Sequence, residues 1–322
     1  MPSRLELSSI NARRAANYII SKKGRDGGYL TYQYRGIFDS SVDDTYYAIK
    51  SLKLLGLDPP EPEKTISFLR SIQRDDGGYP SIEAAYYAIK GLSELGDRPE
   101  DPRGASDYLM LKLRNALRRK EKKRGMSKIA RAVEELHPKI EGGVLKSWDL
   151  TEKLYNIEIS SRLSDLHMVA EALEILGRKI DHEEKVKSVV LLYRMQDGGF
   201  GLNYSSIDET FYALVVFEKL GCDVEKLGDT AAWVKECEDP LGGFRVMPSV
   251  KRAYLLSHLY YGLMSMRILR LKPKYVQQHL EFTMKCANYD GGFRNSVHIG
   301  LSSLEATFYA LSSLAMLTGE GS

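Results

Sequence analysis

The chain has 322 residues, 43% of them hydrophobic and 28% charged, with a formal net charge of +3. That is a globular composition with material for one large domain or two ordinary ones, and its charge is too small to mark a nucleic-acid partner. Three cysteines, Cys222, Cys237 and Cys286, argue against a disulfide framework and make a reducing cytoplasm the expected setting.

The first stretch, MPSRLELSSINARRAANYII, lacks a signal-peptide apolar core, and no run approaches the ~18 uncharged apolar residues of a membrane span. A soluble chain without a transmembrane segment is expected. The first punctuation is Gly27-Gly28, followed by Tyr29 and then by SSVDDTYYAIKSL, Ser40 to Leu52, which stops at Leu55-Gly56. The second unit shows the pattern clearly. Ile66, Leu69 and Ile72 recur at helical spacing before Gly77-Gly78-Tyr79; Tyr86, Ile89, Leu92 and Leu95 recur after it, and Gly96 stops the second helix.

The third unit is swollen by a basic stretch at about 112–139, including Lys112, Arg114, Arg118, Arg119, Lys120, Lys122, Lys123, Arg124, Lys128 and Arg131. It reads as a solvated helix face, with a patch for an acidic partner or a membrane surface as the alternative. Gly142-Gly143 follows without an aromatic; Asp165 and His167 then open a helix that stops at Leu176-Gly177. They read as a capping acid and a surface histidine, with a place at a shared mouth as the alternative. The fourth unit has Gly198-Gly199-Phe200, SSIDETFYALVVF and Leu220-Gly221. The fifth has Gly242-Gly243-Phe244 and a helix carrying His258; the sixth has Gly291-Gly292-Phe293 and SSLEATFYALSSL.

One unit is therefore helix, Gly-Gly turn, helix, glycine stop. Its period is about 50 residues and six copies fill the chain. The long helical stripes and scarce period-two runs reject a β-propeller; the units are αα-hairpins. In SSVDDTYYAIKSL and its relatives, Ser41, Asp43, Ser206, Asp208, Ser303 and Glu305 suit the cap and first turn of a helix.

Six αα-hairpins with Gly-Gly-aromatic turns resemble the superfamily of protein prenyltransferase β-subunits and of squalene and class II terpene cyclases, from about Ser9 to Leu317. The resemblance implies an all-α, α/α toroid in which inner helices form a barrel and outer helices wrap it. Residues 1–322 then form a single toroid domain with the basic insertion at about 112–139. Parallel inner helices would gather their N-termini at one mouth, where helix dipoles favour an anion such as a diphosphate and carboxylates oppose it.

The stretch from Trp233 to Met266, with Cys237, a GGF turn and His258, looks like the zinc-histidine repeat of prenyltransferase β-subunits. The family places an Asp and a Cys, two residues apart, in the preceding repeat. Here that repeat reads SSIDETFYA. Counted from Leu220-Gly221, Asp208 stands in the Cys slot and Ser206 in the Asp slot; counted from the aromatic pair, Asp208 is the Asp and Thr210 replaces the Cys. The resemblance implies zinc at Asp208 and His258, although the thiolate, its strongest soft ligand, is absent. SVDDT likewise resembles the Asp-x-Asp-Asp-Thr motif of class II cyclases, with Asp43 in the slot of the proton-donating acid and Ser41 replacing the first Asp.

Tyr46-Tyr47, Tyr86-Tyr87, Phe211-Tyr212, Tyr260-Tyr261 and Phe308-Tyr309 follow one turn in. One member of each pair is expected to face the barrel and the other a neighbouring helix. Tyr47, Tyr87, Tyr212, Tyr261 and Tyr309 are candidates to line an aromatic pocket for a prenyl chain or its cation. Arg245, Lys251, Arg252 and Arg294, beside the last two turns, are candidates for diphosphate oxygens. Cys237 and Cys286 read as buried free thiols.

The first expectation is thus a cytoplasmic, prenyltransferase-β-like enzyme. It binds an isoprenoid diphosphate, works with a separate α-subunit-like partner and uses Asp208 and His258. The alternatives are a class II cyclase-like enzyme acting through Asp43 and a non-catalytic toroid that binds lipid or protein.

Overall fold

The computed structural model describes residues 9–32, 40–118 and 161–319. Gly142-Gly143 and the basic insertion from residue 119 onward lie outside the described residues.

Among the described residues, twelve α-helices alternate between two layers. The outer layer holds α1 (Ser9–Ser21), α3 (Pro62–Ser71), α5 (Pro102–Arg118), α7 (Glu183–Leu191), α9 (Gly228–Cys237) and α11 (Val276–Lys285). The inner layer holds α2 (Val42–Leu54), α4 (Ile82–Glu94), α6 (Arg162–Ile175), α8 (Ile207–Lys219), α10 (Leu256–Ile268) and α12 (Leu304–Thr318). Each inner helix packs on the next, and α12 returns to α2, so the inner layer closes as a barrel. The structure is an α/α toroid, and no strand occurs among the described residues.

Local chemistry fixes each hairpin. Gly56, Gly96, Gly177 and Gly221 end α2, α4, α6 and α8 with φ of 72°, 73°, 69° and 65°. After α10 the same left-handed slot is filled by Arg270, φ 55°, so the fifth stop has no glycine to announce it. The Gly-Gly turns join the layers. Gly27, at φ 95°, approaches the first turn of α3 so closely that a Cβ would lie 2.4 Å from the Lys64 carbonyl oxygen. Gly291, at φ 94°, meets the Arg14 carbonyl at the same distance, which docks the last turn on α1 and closes the outer ring.

The repeated serine-serine-x-acid stretch is the joint between turn and inner helix. Its first serine bonds the aspartate of the turn: Ser40 to Asp26 at 2.6 Å, Ser205 to Asp197 at 2.6 Å and Ser302 to Asp290 at 2.7 Å. Its second serine, Ser41, Ser206 or Ser303, is the N-cap. Its threonine accepts the backbone N–H of the turn aromatic: Thr45 from Tyr29 at 2.9 Å, Thr210 from Phe200 at 3.0 Å and Thr307 from Phe293 at 3.1 Å. These aromatics are buried. Serines and threonine are therefore scaffold; only the acids and the aromatic pair are left to face the barrel.

Candidate functional site

The aromatic pairs fill the middle of the barrel. Tyr46, Phe308, Tyr260 and Phe211 make successive ring contacts around the wall, with Tyr46–Phe308 centroids 5.9 Å apart and Tyr260–Phe308 5.3 Å apart, and Tyr86 meets Tyr87. The second members tie themselves through their hydroxyls. Tyr47 and Tyr87 are 2.6 Å apart, Tyr261 and Tyr309 are 2.9 Å apart, and Tyr212 donates to Tyr261 at 3.4 Å. Tyr309 and Tyr47 both donate to Glu305, at 2.9 Å and 3.4 Å. Glu305 thus joins the two strings into one network across the barrel. Burial of Glu305 raises its pKa, with Asp43 and Asp44 adding repulsion, while the tyrosine hydrogen bonds oppose the rise.

A cavity of about 330 Å³ adjoins this layer and extends along the last turns of the inner helices. It is lined by both members of all five aromatic pairs, not by one of each. Successive helical residues are about 100° apart, so two neighbours straddling the inward direction both reach the axis. Beyond the rings the wall becomes charged: Lys50, Lys90 and Arg267 against Glu94 and Glu171. Lys50 meets Glu94 at 2.6 Å and Lys90 meets Glu171 at 2.9 Å. Lys90 also lies over the rings of Tyr86 and Tyr46, 4.7 Å and 5.4 Å from their centroids.

His167 lies in this wall, buried, and not on the surface as its sequence position suggested. The closed ring turns that face of α6 inward between α4 and α8. Burial lowers its pKa to about 4, against the opposing pull of Glu171.

The N-terminal mouth lies on the other side of the tyrosine layer. Asp43, Asp208 and His258 are half-buried there and do not line the cavity. Ser41 donates to the Asp43 carboxylate. Glu83 feels burial first, then Asp43, Glu305 and Asp165, and all raise its pKa, so these acids share one mouth. Asp44 is spent on closure: it accepts the Thr31 N–H and hydroxyl, each at 2.7 Å, and Thr31 in turn accepts the Leu304 N–H at 2.9 Å.

An anion at this mouth is disfavoured, contrary to the expectation from helix dipoles alone. Acids crowd it, and helix N–H groups that would hold an anion already have partners. Ile207 donates to the Val246 carbonyl at 2.9 Å and Leu256 to the Asn295 carbonyl at 2.8 Å. The N-cap serines take the N–H groups of Ala84, Ser164 and Ala306, at 3.0, 3.2 and 3.0 Å.

Asp208 and His258 stand on the adjacent helices α8 and α10. Burial lowers the His258 pKa and the Asp208 charge opposes that shift. Among the described residues no group of three His, Cys, Asp or Glu side chains is placed to hold a metal ion. These two residues alone do not make up a zinc donor set. Cys237 is buried, and its pKa is pushed up by burial, away from thiolate character.

Two candidate cations are occupied elsewhere. Arg245 donates to the carbonyls of Pro248 and Val250, at 2.9 and 3.4 Å, and to that of Glu236. Arg294 does the same to Ser296 at 2.9 Å and Lys285 at 2.6 Å, and it meets Asn288 Oδ1 at 2.6 Å. Both clamp the loop after a Gly-Gly turn onto the end of an outer helix, because a guanidinium is the side chain with enough donors to satisfy several loose carbonyls. Arg252 is exposed and 3.9 Å from Asp239.

Of the residues lining the cavity, motif reading did not single out Lys50, Lys90 or Glu171, and it set His167 on the surface or at the mouth. A signal was present. Counted back from the stops at Gly56, Gly96 and Gly177, Lys50, Lys90 and Glu171 share one register, and His167 shares that of Tyr46 and Tyr86.

The chain matches the model of the prenyltransferase alpha-alpha toroid domain over residues 3–135 and 144–320. Among solved structures it resembles the type II terpene cyclase MstE from Scytonema, with a TM-score of 0.54 and 10% identity over 97% of each chain. A protein from Actinoplanes gives a TM-score of 0.52 at 14% identity, covering 97% of this chain and 99% of the other. A Candida albicans protein geranylgeranyltransferase-I complexed with GGPP matches at 18% identity and a TM-score of 0.44; the match covers 49% of this chain and 50% of that one. At such identities the likeness speaks for the fold alone. No curated protein matches the sequence.

Proposed function

The chain belongs to the prenyltransferase alpha-alpha toroid family, and from that premise we propose that it binds an isoprenoid diphosphate in its barrel and transfers the prenyl group to an acceptor. The observation that carries this is the cavity: a ring-lined space of about 330 Å³ with Lys50, Lys90 and Arg267 at its polar end. An apolar chain gains by burial among the rings, and ring faces stabilise positive charge at the carbon that loses the diphosphate. The diphosphate belongs at the polar end, where three cations outnumber two carboxylates and offset the negative ends of the helix dipoles.

In the transfer, the allylic C–O bond breaks and its electron pair leaves with the diphosphate. The acceptor atom forms the new bond to carbon and releases its proton. A cytoplasmic setting and a separate α-subunit-like partner belong to the same proposal. No step is routed through zinc, because Asp208 and His258 lie across the tyrosine layer from the cavity. Asp43 lies there too, so no observation favours protonation of an alkene in the barrel by that acid. A second possibility, a toroid that holds the isoprenoid without chemistry, is favoured by the same separation of Asp43, Asp208 and His258 from the cavity.

The test is equilibrium binding of farnesyl diphosphate and farnesol to wild type and to Lys50→Met/Arg267→Met. The expected result is a loss of about tenfold or more for the diphosphate, with farnesol unchanged. Equal loss for both ligands, or none for either, would place the head group elsewhere. Release of diphosphate from bound ligand in the presence of acceptors then separates transferase from carrier.

A further inference from the structure

One ring nitrogen in the barrel wall has a lone pair and no hydrogen-bond partner among the described residues. His167 stacks on Tyr212, with centroids 4.5 Å apart, and meets Tyr86 edge-on at 5.5 Å. Its Nδ1 is 2.7 Å from the Ser164 carbonyl oxygen. A carbonyl only accepts, so Nδ1 carries the hydrogen and the neutral ring presents Nε2 as a bare acceptor. No described residue donates to that nitrogen. One turn further along α6, Glu171 attracts positive charge on the ring, and Glu171 is itself held by Lys90 and the Tyr86 hydroxyl at 2.9 and 2.5 Å. A fixed tautomer, a lone pair that no described residue claims on a ring lining the cavity, and a carboxylate beside the ring are the parts of an oriented base.

We infer that His167 Nε2 is the proton acceptor for a small hydroxyl-bearing co-substrate that enters the barrel beside the prenyl chain. The inference rests on the prenyl-transfer proposal above and names the acceptor class that the proposal leaves open. The hydroxyl first donates a hydrogen bond to Nε2. As the allylic C–O bond breaks and the diphosphate departs with its electron pair, the hydroxyl oxygen bonds to the prenyl carbon. Its proton passes to Nε2, and Glu171 stabilises the imidazolium until the proton is lost to solvent with product release. The flat walls of Phe211, Tyr212 and Tyr86 around the imidazole favour an aromatic alcohol, a phenol, over an aliphatic one. Burial keeps His167 neutral near pH 7, the form that accepts a proton.

The test uses 4-methylphenol and toluene as probes of matched shape, titrated into the full chain as wild type, His167→Phe and His167→Gln. A hydroxyl buried without an acceptor binds worse than its hydrocarbon counterpart, and one with an acceptor does not. The wild type is expected to bind 4-methylphenol at least as tightly as toluene. His167→Phe should lose 4-methylphenol affinity by about tenfold while keeping toluene, and His167→Gln, which retains a carbonyl acceptor, should recover part of the loss. Circular dichroism confirms that both variants fold. The same phenol-to-toluene ratio in wild type and His167→Phe overturns the inference, as does a wild type that binds neither probe. Farnesyl diphosphate titrated in parallel separates the two failures. Binding of farnesyl diphosphate without a His167-dependent phenol preference sinks the base alone. A phenol preference without binding of farnesyl diphosphate sinks prenyl transfer, and with it the role assigned to the base.

Discussion

Lys90 Nζ and Glu171 Oε2 are 2.9 Å apart in the barrel wall, and the Tyr86 hydroxyl reaches both, 2.9 Å from the ammonium and 2.5 Å from the carboxylate. Burial works to raise the Glu171 pKa, but Lys90, His167 and the hydrogen bonds from Tyr86 and Lys90 outweigh it and hold the carboxyl at about 2. Lys90→Met leaves that carboxylate buried and unpaired. With both side chains about one-fifth exposed, the expected cost is about 3 kcal/mol by urea denaturation. Lys90→Met/Glu171→Met should recover most of it, because two apolar side chains replace the pair with no charge left over. A single variant within about 1 kcal/mol of wild type would put this pair with ordinary surface pairs.

The repeated threonines should behave as one class. Thr45→Val, Thr210→Val and Thr307→Val each keep the shape of the side chain and remove the acceptor for the N–H of Tyr29, Phe200 or Phe293. Each is expected to cost about 1–3 kcal/mol, the price of an unsatisfied buried N–H. Serine at the same positions should retain the bond and recover a good part. Thermal unfolding of the six variants, with ligand binding followed alongside, distinguishes this from a role at the mouth. Loss of binding at unchanged stability would move the threonines from scaffold to site.

The toroid was legible because its punctuation is chemical. Gly-Gly pairs mark where a turn touches the next outer helix, and single glycines mark left-handed stops, so six hairpins can be read directly. The site was less legible for three reasons. First, Ser41 and Thr45 stand at positions of the Asp-x-Asp-Asp-Thr motif, Ser41 in place of its first Asp, yet their oxygens are consumed by backbone N–H groups. Second, Lys50 and Lys90 look like solvent lysines in AIKSL and AIKGL, and only ring closure sets them beside Glu94 and Glu171. Third, the inner helix of the third unit is one residue longer than that of the second, so alignment from its N-terminus misplaces His167, while counting back from Gly177 does not.

His167 also predicts a pH signature. Its folded pKa of about 4 lies below the ordinary 6.5, so the unfolded chain binds the proton more readily. The stability tied to neutral His167 is complete above about pH 6.5 and is lost as pH falls towards 4. Between pH 7 and pH 5 the loss amounts to about 2 kcal/mol from this group alone. The Glu171 shift acts below this window, since both of its pKa values lie under 5. His167→Phe should therefore flatten the fall in melting temperature between pH 7 and pH 5. Parallel curves for wild type and variant would show that the histidine is protonated, or reached by water, in the folded barrel.

Zinc is the sharpest remaining test of the N-terminal mouth. Asp208 opposes the burial-driven lowering of the His258 pKa across α8 and α10, but both residues that sequence counting offers in place of a third ligand already have structural duties. Ser206 caps α8 by accepting the Glu209 N–H at 3.5 Å, and Thr210 accepts the Phe200 N–H at 3.0 Å. Neither is a thiolate, and withdrawing either oxygen would expose an unsatisfied N–H. Tag-free protein dialysed against zinc and then against metal-free buffer is expected to retain well under one zinc per chain, unchanged in Asp208→Ala/His258→Ala. One zinc per chain, lost in that double variant, would require further ligands from residues outside those described. It would also move the acceptor to the N-terminal mouth, where a zinc-bound thiol and not a hydroxyl beside His167 would meet the prenyl carbon.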